Sequence, residues 1–350
     1  MRIRQALSAL TLVALAHAPA LAAEKLTLSG GSVAIWNLAG QAIIESGTGP
    51  DIVVLVERGG RDAAKLKLMT DRMVGGSRLR ILYDADRVAY NRPGSRSGSQ
   101  STVRLRDDGT WGNQKGWSGR RVTVGSGGRG LEAHANLRVQ VPKGVKLELY
   151  LAVGDGQQSG TDADILFDGG ATSFISEGTR GSLSVDVGSG TVRVSRHVGG
   201  LLIDTGSGDI RANDIQGERV SFDTGSGSVS CSAIRCLELI VDTGSGAVRV
   251  DGVDSDRLHI DTGSGAVTAS LLATKTDVLI DTGSGGVRLT IPHGFGADLR
   301  ISTGSGGIHT GMPVTVRERS RNSLAGRIGD GRSRVVIDTG SGAVQLTRQP

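Results

Sequence analysis

Six identical copies of Asp-Thr-Gly-Ser-Gly, beginning at Asp204, Asp223, Asp242, Asp261, Asp281 and Asp338, place carboxylates in the setting that aspartic proteases use. Those enzymes bring two such loops together, one per lobe or subunit, so that two carboxylates share one proton. Leu202-Ile203-Asp204-Thr205-Gly206-Ser207 and Leu279-Ile280-Asp281-Thr282-Gly283-Ser284 match the apolar-apolar-Asp-Thr-Gly-Ser loop letter for letter. The spacing excludes that chemistry. Two degenerate copies begin at Asp186 and Ser302, and from Asp186 to Ser302 the steps are 18, 19, 19, 19, 20 and 21 residues, too few to build a lobe between loops. The protease reading is rejected, and a period near twenty signals a stack of coils instead.

The positions around the pentapeptide show what carries these carboxylates. One residue before the Asp stand Val185, Ile203, Phe222, Val241, Ile260, Ile280, Ile301 and Ile337; three before it stand Leu183, Leu201, Val220, Leu239, Leu258, Val278, Leu299 and Val335. The residue between varies freely, so the period is two and this is a strand with one buried face. Six residues after the Asp comes a third apolar row, Val192, Ile210, Val229, Val248, Val267, Val287, Ile308 and Val344, followed by a mostly polar position. Each coil thus has two clear strands and a short third side, which predicts an all-β parallel solenoid of about 19 residues per coil. Gly-Ser-Gly is its corner, where glycine admits a positive φ. The repeated Asp points outward, placed to accept the turn's backbone N–H groups as an Asx-turn, and Thr tends inward. On this reading Asp186, Asp204, Asp223, Asp242, Asp261, Asp281 and Asp338 are structural turn residues. No catalytic residue, cofactor or metal is assigned.

Other outward positions offer binding chemistry. Arg193, Arg211, Arg249 and Arg288 occupy one row, a candidate site for an anionic surface polymer such as lipopolysaccharide phosphates. Leu202, Ile240 and Leu279 form a partly apolar stripe on alternate coils, to be covered by another part of the chain or by a partner. Pectate-lyase-like enzymes also combine stacked coils with clustered carboxylates and a basic residue, so a polysaccharide lyase or hydrolase using the outward Asp residues is the alternative function. The 3 Trp, 3 Tyr and 4 Phe are few for a sugar cleft. The His residues at 134, 197, 259, 293 and 309 lack the spacing of a metal site or a Ser-His-Asp triad. Cys231 takes an inward position and Cys236 follows across a turn, so a local disulfide is expected in an oxidising compartment, with two unpaired thiols as the other reading.

The chain begins Met-Arg-Ile-Arg and runs apolar from Ala6 to Ala22, which reads as a signal peptide over 1–22. The mature chain has no stretch of the roughly 20 apolar residues that a span needs, so export to the periplasm, surface or medium is expected. Removing Arg2 and Arg4 lowers the formal charge from +5 to +3, which does not imply nucleic acid. With 55 Gly, turns and short strands outweigh helix. Residues 23–90 read as an irregular N-terminal β cap, 91–130 as a polar Gly/Ser/Arg-rich loop or hairpin, and 131–350 as the repeat solenoid. The 36 residues between Ser302 and Asp338 leave room for an irregular coil or a protruding hairpin, and the terminal Arg348-Gln349-Pro350 reads as a guard of the last strand edge.

Between Leu26 and Leu346 the chain resembles the putative-adhesin family of bacterial cell-envelope proteins. Val141-Pro142-Lys143-Gly144-Val145, the Gly-Ser-Gly corners, and Ile328-Gly329-Asp330-Gly331 followed by Val335-Val336-Ile337-Asp338-Thr339-Gly340-Ser341-Gly342 carry the likeness. The resemblance implies a right-handed parallel β-helix with repeated Thr-Gly-Ser-Gly turns and an exported protein, and it brings no catalytic residues. The function expected is a non-enzymatic, adhesin-like interaction module whose partner is an envelope protein or an anionic polymer. End-to-end stacking into a self-assembling envelope scaffold is a further expectation.

Overall fold

A computed structural model describes residues 23–91, 100–112, 119–126 and 129–349; residues 1–22, expected to be a signal peptide, the stretch from Arg92 to Ser99 and Trp117 lie outside the described residues. Among the described residues, regular structure is strand apart from a three-residue 3-10 turn at Ala63–Lys65. One 23-stranded, mostly parallel sheet winds through the molecule, and a separate three-stranded sheet stands beside it. The strict inward-outward alternation explains this. Along Val229–Thr243 the inward Val229, Cys231, Ile234, Leu239 and Val241 are buried, and Ser230, Arg235 and Asp242 between them are exposed. Such a strand cannot bury both faces, so it stacks on its neighbours around a shared interior.

The register is set by identity. Asp168, Asp186, Asp204, Asp223, Asp242, Asp261 and Asp281 are successive partners on adjacent parallel strands. What ties each corner is the threonine. Thr243, fully buried, donates its hydroxyl to the carbonyl of Gly227 one coil below (3.0 Å) and accepts the N–H of Gly246 (3.1 Å). Thr224, Thr262, Thr282 and Thr339 make the same pair of bonds. The seven Asp carboxylates expected to bind the turn donate to nothing and accept nothing among the described residues, which corrects the Asx-turn expectation. The inward hydroxyl reaches the corner's N–H first and satisfies a carbonyl that would otherwise be buried without a donor.

The corner glycines also serve a different purpose from the one expected. None in the six identical copies has a positive φ. Instead a Cβ on Gly246 would lie 1.8 Å from the carbonyl oxygen of Gly227, and one on Gly265 would lie 1.8 Å from that of Gly246. The coils approach too closely for any side chain. Left-handed backbone appears at the second corner, in Gly160, Gly178, Arg196 (φ 51), Asp214 (φ 55), Ala233 (φ 53) and Gly252.

The C-terminal coil is not at the end of the stack. Ser333–Thr339 lies between Asp277–Thr282 and Ala297–Thr303, parallel to both, and Val344–Arg348 lies between Val287–Ile291 and Ile308–Thr310. The 36-residue interval holds Ile308–Thr310 and then a hairpin, Thr315–Arg319 with Ser323–Ile328, whose second strand is antiparallel to Ala297–Thr303. Arg348 and Gln349 therefore guard no edge; the Gln349 backbone N–H donates to Ile291 and its side chain to the Leu271 carbonyl. This order alternates charge along one row. Asp277 and Asp298 share one outward row, and the inserted strand puts Arg334 between them.

At the other end, Ser32–Ser46 stacks on Lys146–Ser159 and is covered by Gly76–Leu82 and His134–Val141, each continued by antiparallel strands. Antiparallel strands thus cover much of both ends, while Ile308–Thr310 is paired on one side only. Arg87–Ala89, Gln100–Leu105 and Arg120–Gly125 form the small sheet. It covers the start of the Asp row, where Tyr150 pairs with Asp168, and leaves Leu202 and Leu279 exposed. Trp36 stacks on Tyr150 (4.8 Å, 3°), Trp111 meets Tyr150 edge-on, and the Trp36 indole donates to the Trp111 carbonyl.

Two substitutions separate these roles. Thr243→Val, which keeps the shape, should destabilise by about 2–4 kcal/mol because a buried N–H and a buried carbonyl both lose their partner, while Asp242→Asn costs nothing comparable; denaturant unfolding with the ranking reversed would restore the Asx-turn reading. Ala233→Gly should stabilise by about 0.5–1 kcal/mol, the left-handed penalty less the entropy of glycine, read as a raised melting temperature.

Candidate functional site

Three outward rows hold the chemistry. The first is the column from Asp168 to Asp281, continued by Asp338 and then Ser302. Neighbouring carboxylates ride on strands about 4.8 Å apart. Partial burial, and then the Asp of an adjoining coil (Asp186 for Asp204, Asp204 for Asp223, Asp261 and Asp338 for Asp281), raise the pKa values of Asp204, Asp223 and Asp281; burial alone raises that of Asp186. These shifts follow from stacking like charges and need no catalytic assignment. Consecutive Asp residues belong to one continuous sheet, with no cleft between lobes. Among the described residues, no three His, Cys, Asp or Glu side chains converge to hold a metal.

The second row lies on the other long side. Arg193 pairs with Arg211, Arg211 with Ser230, Ser230 with Arg249, Arg249 with Thr268, and Thr268 with Arg288. All four arginines are exposed. Arg211 approaches Asp209 at 3.4 Å and Arg249 approaches Asp251 at 3.9 Å, loose exposed pairs worth little. Arg288 bonds the neutral Gln345, and Arg193 has no carboxylate partner among the described residues. The row stays cationic.

The third row was missed in the sequence. Four residues before the Asp, Arg219, Glu238, Arg257, Asp277, Arg334 and Asp298 alternate in sign along the stack. Glu238 lies 3.7 Å from Arg219 and 3.8 Å from Arg257. The signal was present one step beyond the aligned columns, but the alternation closes only once the C-terminal coil is placed between Asp277 and Asp298.

Two remaining groups are inward. Cys231 and Cys236 are free thiols, which corrects the expected disulfide. They face inward on either side of the left-handed corner at Ala233 and are not bonded to each other. Burial pushes both thiols up to about 12, so neither is a nucleophile at neutral pH. His197, also buried, bonds the Thr179 hydroxyl (2.9 Å) and the Gly200 carbonyl, and burial lowers its pKa. His259, His293 and His309 are exposed and separate.

Residues 98–347 match the model of the Toastrack DUF4097 family. The chain belongs to this family. The Toastrack match spans two strands of the small sheet, Gln100–Leu105 and Arg120–Gly125, the coils from His134–Val141 onward and the inserted C-terminal strand pair. A crystal structure of a putative cell adhesion protein from Clostridium sporogenes is similar, with 11% identity, 93% of this chain and 100% of that chain covered, and a TM-score of 0.19. No curated protein matches.

The Asp column makes a signed prediction. A carboxylate whose pKa is higher folded than unfolded disfavours the fold at neutral pH and ceases to do so as pH falls through the raised value. Asp204→Asn should therefore raise the melting temperature at pH 7, and the gain should shrink toward pH 4; an equal loss at both pH values would show that the carboxylate supports the corner.

Proposed function

We propose that this Toastrack protein is a non-catalytic interaction module of the cell envelope, exported by its leader and wound right-handed, that binds an anionic surface polymer along the arginine row. The right-handed sense follows the rule for parallel crossovers. The observation that carries the reading is the in-register row Arg193, Arg211, Arg249 and Arg288. Its guanidinium groups recur at roughly 5, 10 and 10 Å along a straight rod. A chain molecule with regularly placed phosphates or carboxylates meets several of them at once, and each further contact adds through effective concentration. Ser230, Ser232, Asn213 and Ser195 lie flat beside the row and offer hydroxyl and amide partners without steric bulk. The lyase or hydrolase alternative needs a basic residue beside its clustered carboxylates, and the arginine row runs along the other long side from the Asp column.

Retention on immobilised dextran sulfate tests the reading. Arg211→Gln/Arg249→Gln/Arg288→Gln should elute at about half the salt that the wild type needs, while Arg72→Gln/Arg121→Gln/Arg319→Gln, an equal loss of exposed charge elsewhere, should change elution far less. Equal effects of the two triple variants would reduce the row to general surface charge.

A further inference from the structure

The opposite long side carries a groove that the arginine row does not explain. Leu279 pairs with Val336, and the same outward row runs back through His259 to Ile240. Leu279 is 43% exposed, on a strand whose backbone is fully paired on both sides. A cavity of about 390 Å³ lies here, floored by Leu279 and Val336 and edged by Arg257 and Arg334. Past Val336 the row changes character at once: its next member is Arg300. There a second cavity, of about 600 Å³, opens among Arg300, Arg317, Arg332 and Arg334, and it shares Asp277 and Arg334 with the first.

The charges in the second cavity do not cancel. Its four arginines face two carboxylates, Asp277 and Asp298. Asp298 is already engaged by Arg317 (3.0 Å) and Arg327 (2.8 Å), Arg332 is held by Asp330, and Asp277 accepts the backbone N–H of Arg334 (2.8 Å). The guanidinium groups of Arg300 and Arg334 are left without a carboxylate partner among the described residues. Arg334 pairs with Asp298 and Arg300 with Val336, so the two are diagonal neighbours, roughly 8 Å apart at the backbone. Long side chains from that distance converge on one anion.

We propose that this groove binds a single alkyl chain carrying a phosphate head, the phosphate between Arg300 and Arg334 and the chain along Val336 and Leu279, past the edge of His259 toward Ile240. A guanidinium pair suits a phosphate, which accepts several forked hydrogen bonds. The floor offers no free backbone edge, so an extended peptide would leave its own N–H and C=O groups unpaired, whereas an alkyl segment requires no partner. Three coil steps from Val336 to Ile240 give roughly 14 Å of track for it.

Titration of the full chain with dodecyl phosphate below its micelle concentration tests the proposal. Saturable binding is expected, weakened at least tenfold by Arg300→Gln/Arg334→Gln and also by Leu279→Ser, and unchanged by Leu202→Ser farther along the rod. Inorganic phosphate and dodecyltrimethylammonium should compete poorly. Dodecyltrimethylammonium binding as tightly as dodecyl phosphate would reduce the groove to a general apolar surface, and competition by inorganic phosphate at equal concentration would reduce it to an anion site; either overturns the proposal. Dodecanoate binding more tightly than dodecyl phosphate would overturn the choice of head group. Should the double arginine variant fail to fold, Leu279→Ser with the competitors decides alone.

Discussion

Every coil must come within one strand spacing of the next at a corner where the backbone turns, and the threonine hydroxyl makes that approach tolerable. Gly227, Gly246 and Gly265 leave no room for a Cβ, and the carbonyls pressed together there are removed from water. A buried carbonyl without a donor costs about as much as several favourable contacts contribute. Thr224, Thr243, Thr262, Thr282 and Thr339 supply that donor and take up the corner's N–H in return. Because the same three atoms meet in five of the coils, those coils share one cross-section. The apolar rows on either side then fall into line.

That constraint divides the side chains into two populations. Inward positions and the corner repeat because a change in one coil disturbs its neighbours above and below. Outward positions are free, and there the chain differs from coil to coil: arginine or a small polar residue on one side, alternating charge and an interrupted apolar stripe on the other. The pentapeptide aspartates are the exception, repeated yet outward and without a hydrogen-bond partner among the described residues, and they carry mutual repulsion that the corner bonds and core outweigh.

The architecture was legible because its signal is redundant. Rows such as Val185 to Ile337 and Val192 to Val344 state the strand period many times over, and they are buried with few departures. The corner's chemistry was harder to read, since Asp and Thr are adjacent and equally repeated; only side-chain direction decides that Thr243, not Asp242, closes the turn. The left-handed corner was invisible for the opposite reason: Arg196, Asp214, Ala233 and Gly252 share a conformation without sharing a residue type. The order of the last coils could not be read from spacing, because Asp338 matches the register equally well at the end of the stack or within it. Charge holds the answer, in the sequence Asp277, Arg334, Asp298, but only once the rows are set side by side. The groove ending at Arg300 and Arg334 depends on that order.

Paired cysteines at the shared corner test this arrangement most directly. In Asp281→Cys/Asp338→Cys the two positions are direct partners, at the Cα separation a disulfide accepts, whereas Asp281→Cys/Ser302→Cys places them two strands apart. Mild oxidation of the folded chain should cross-link the first pair and leave the second as thiols. Cross-linking of 281 to 302 with 281 and 338 unreacted would contradict the inserted coil and the outward rows built on it.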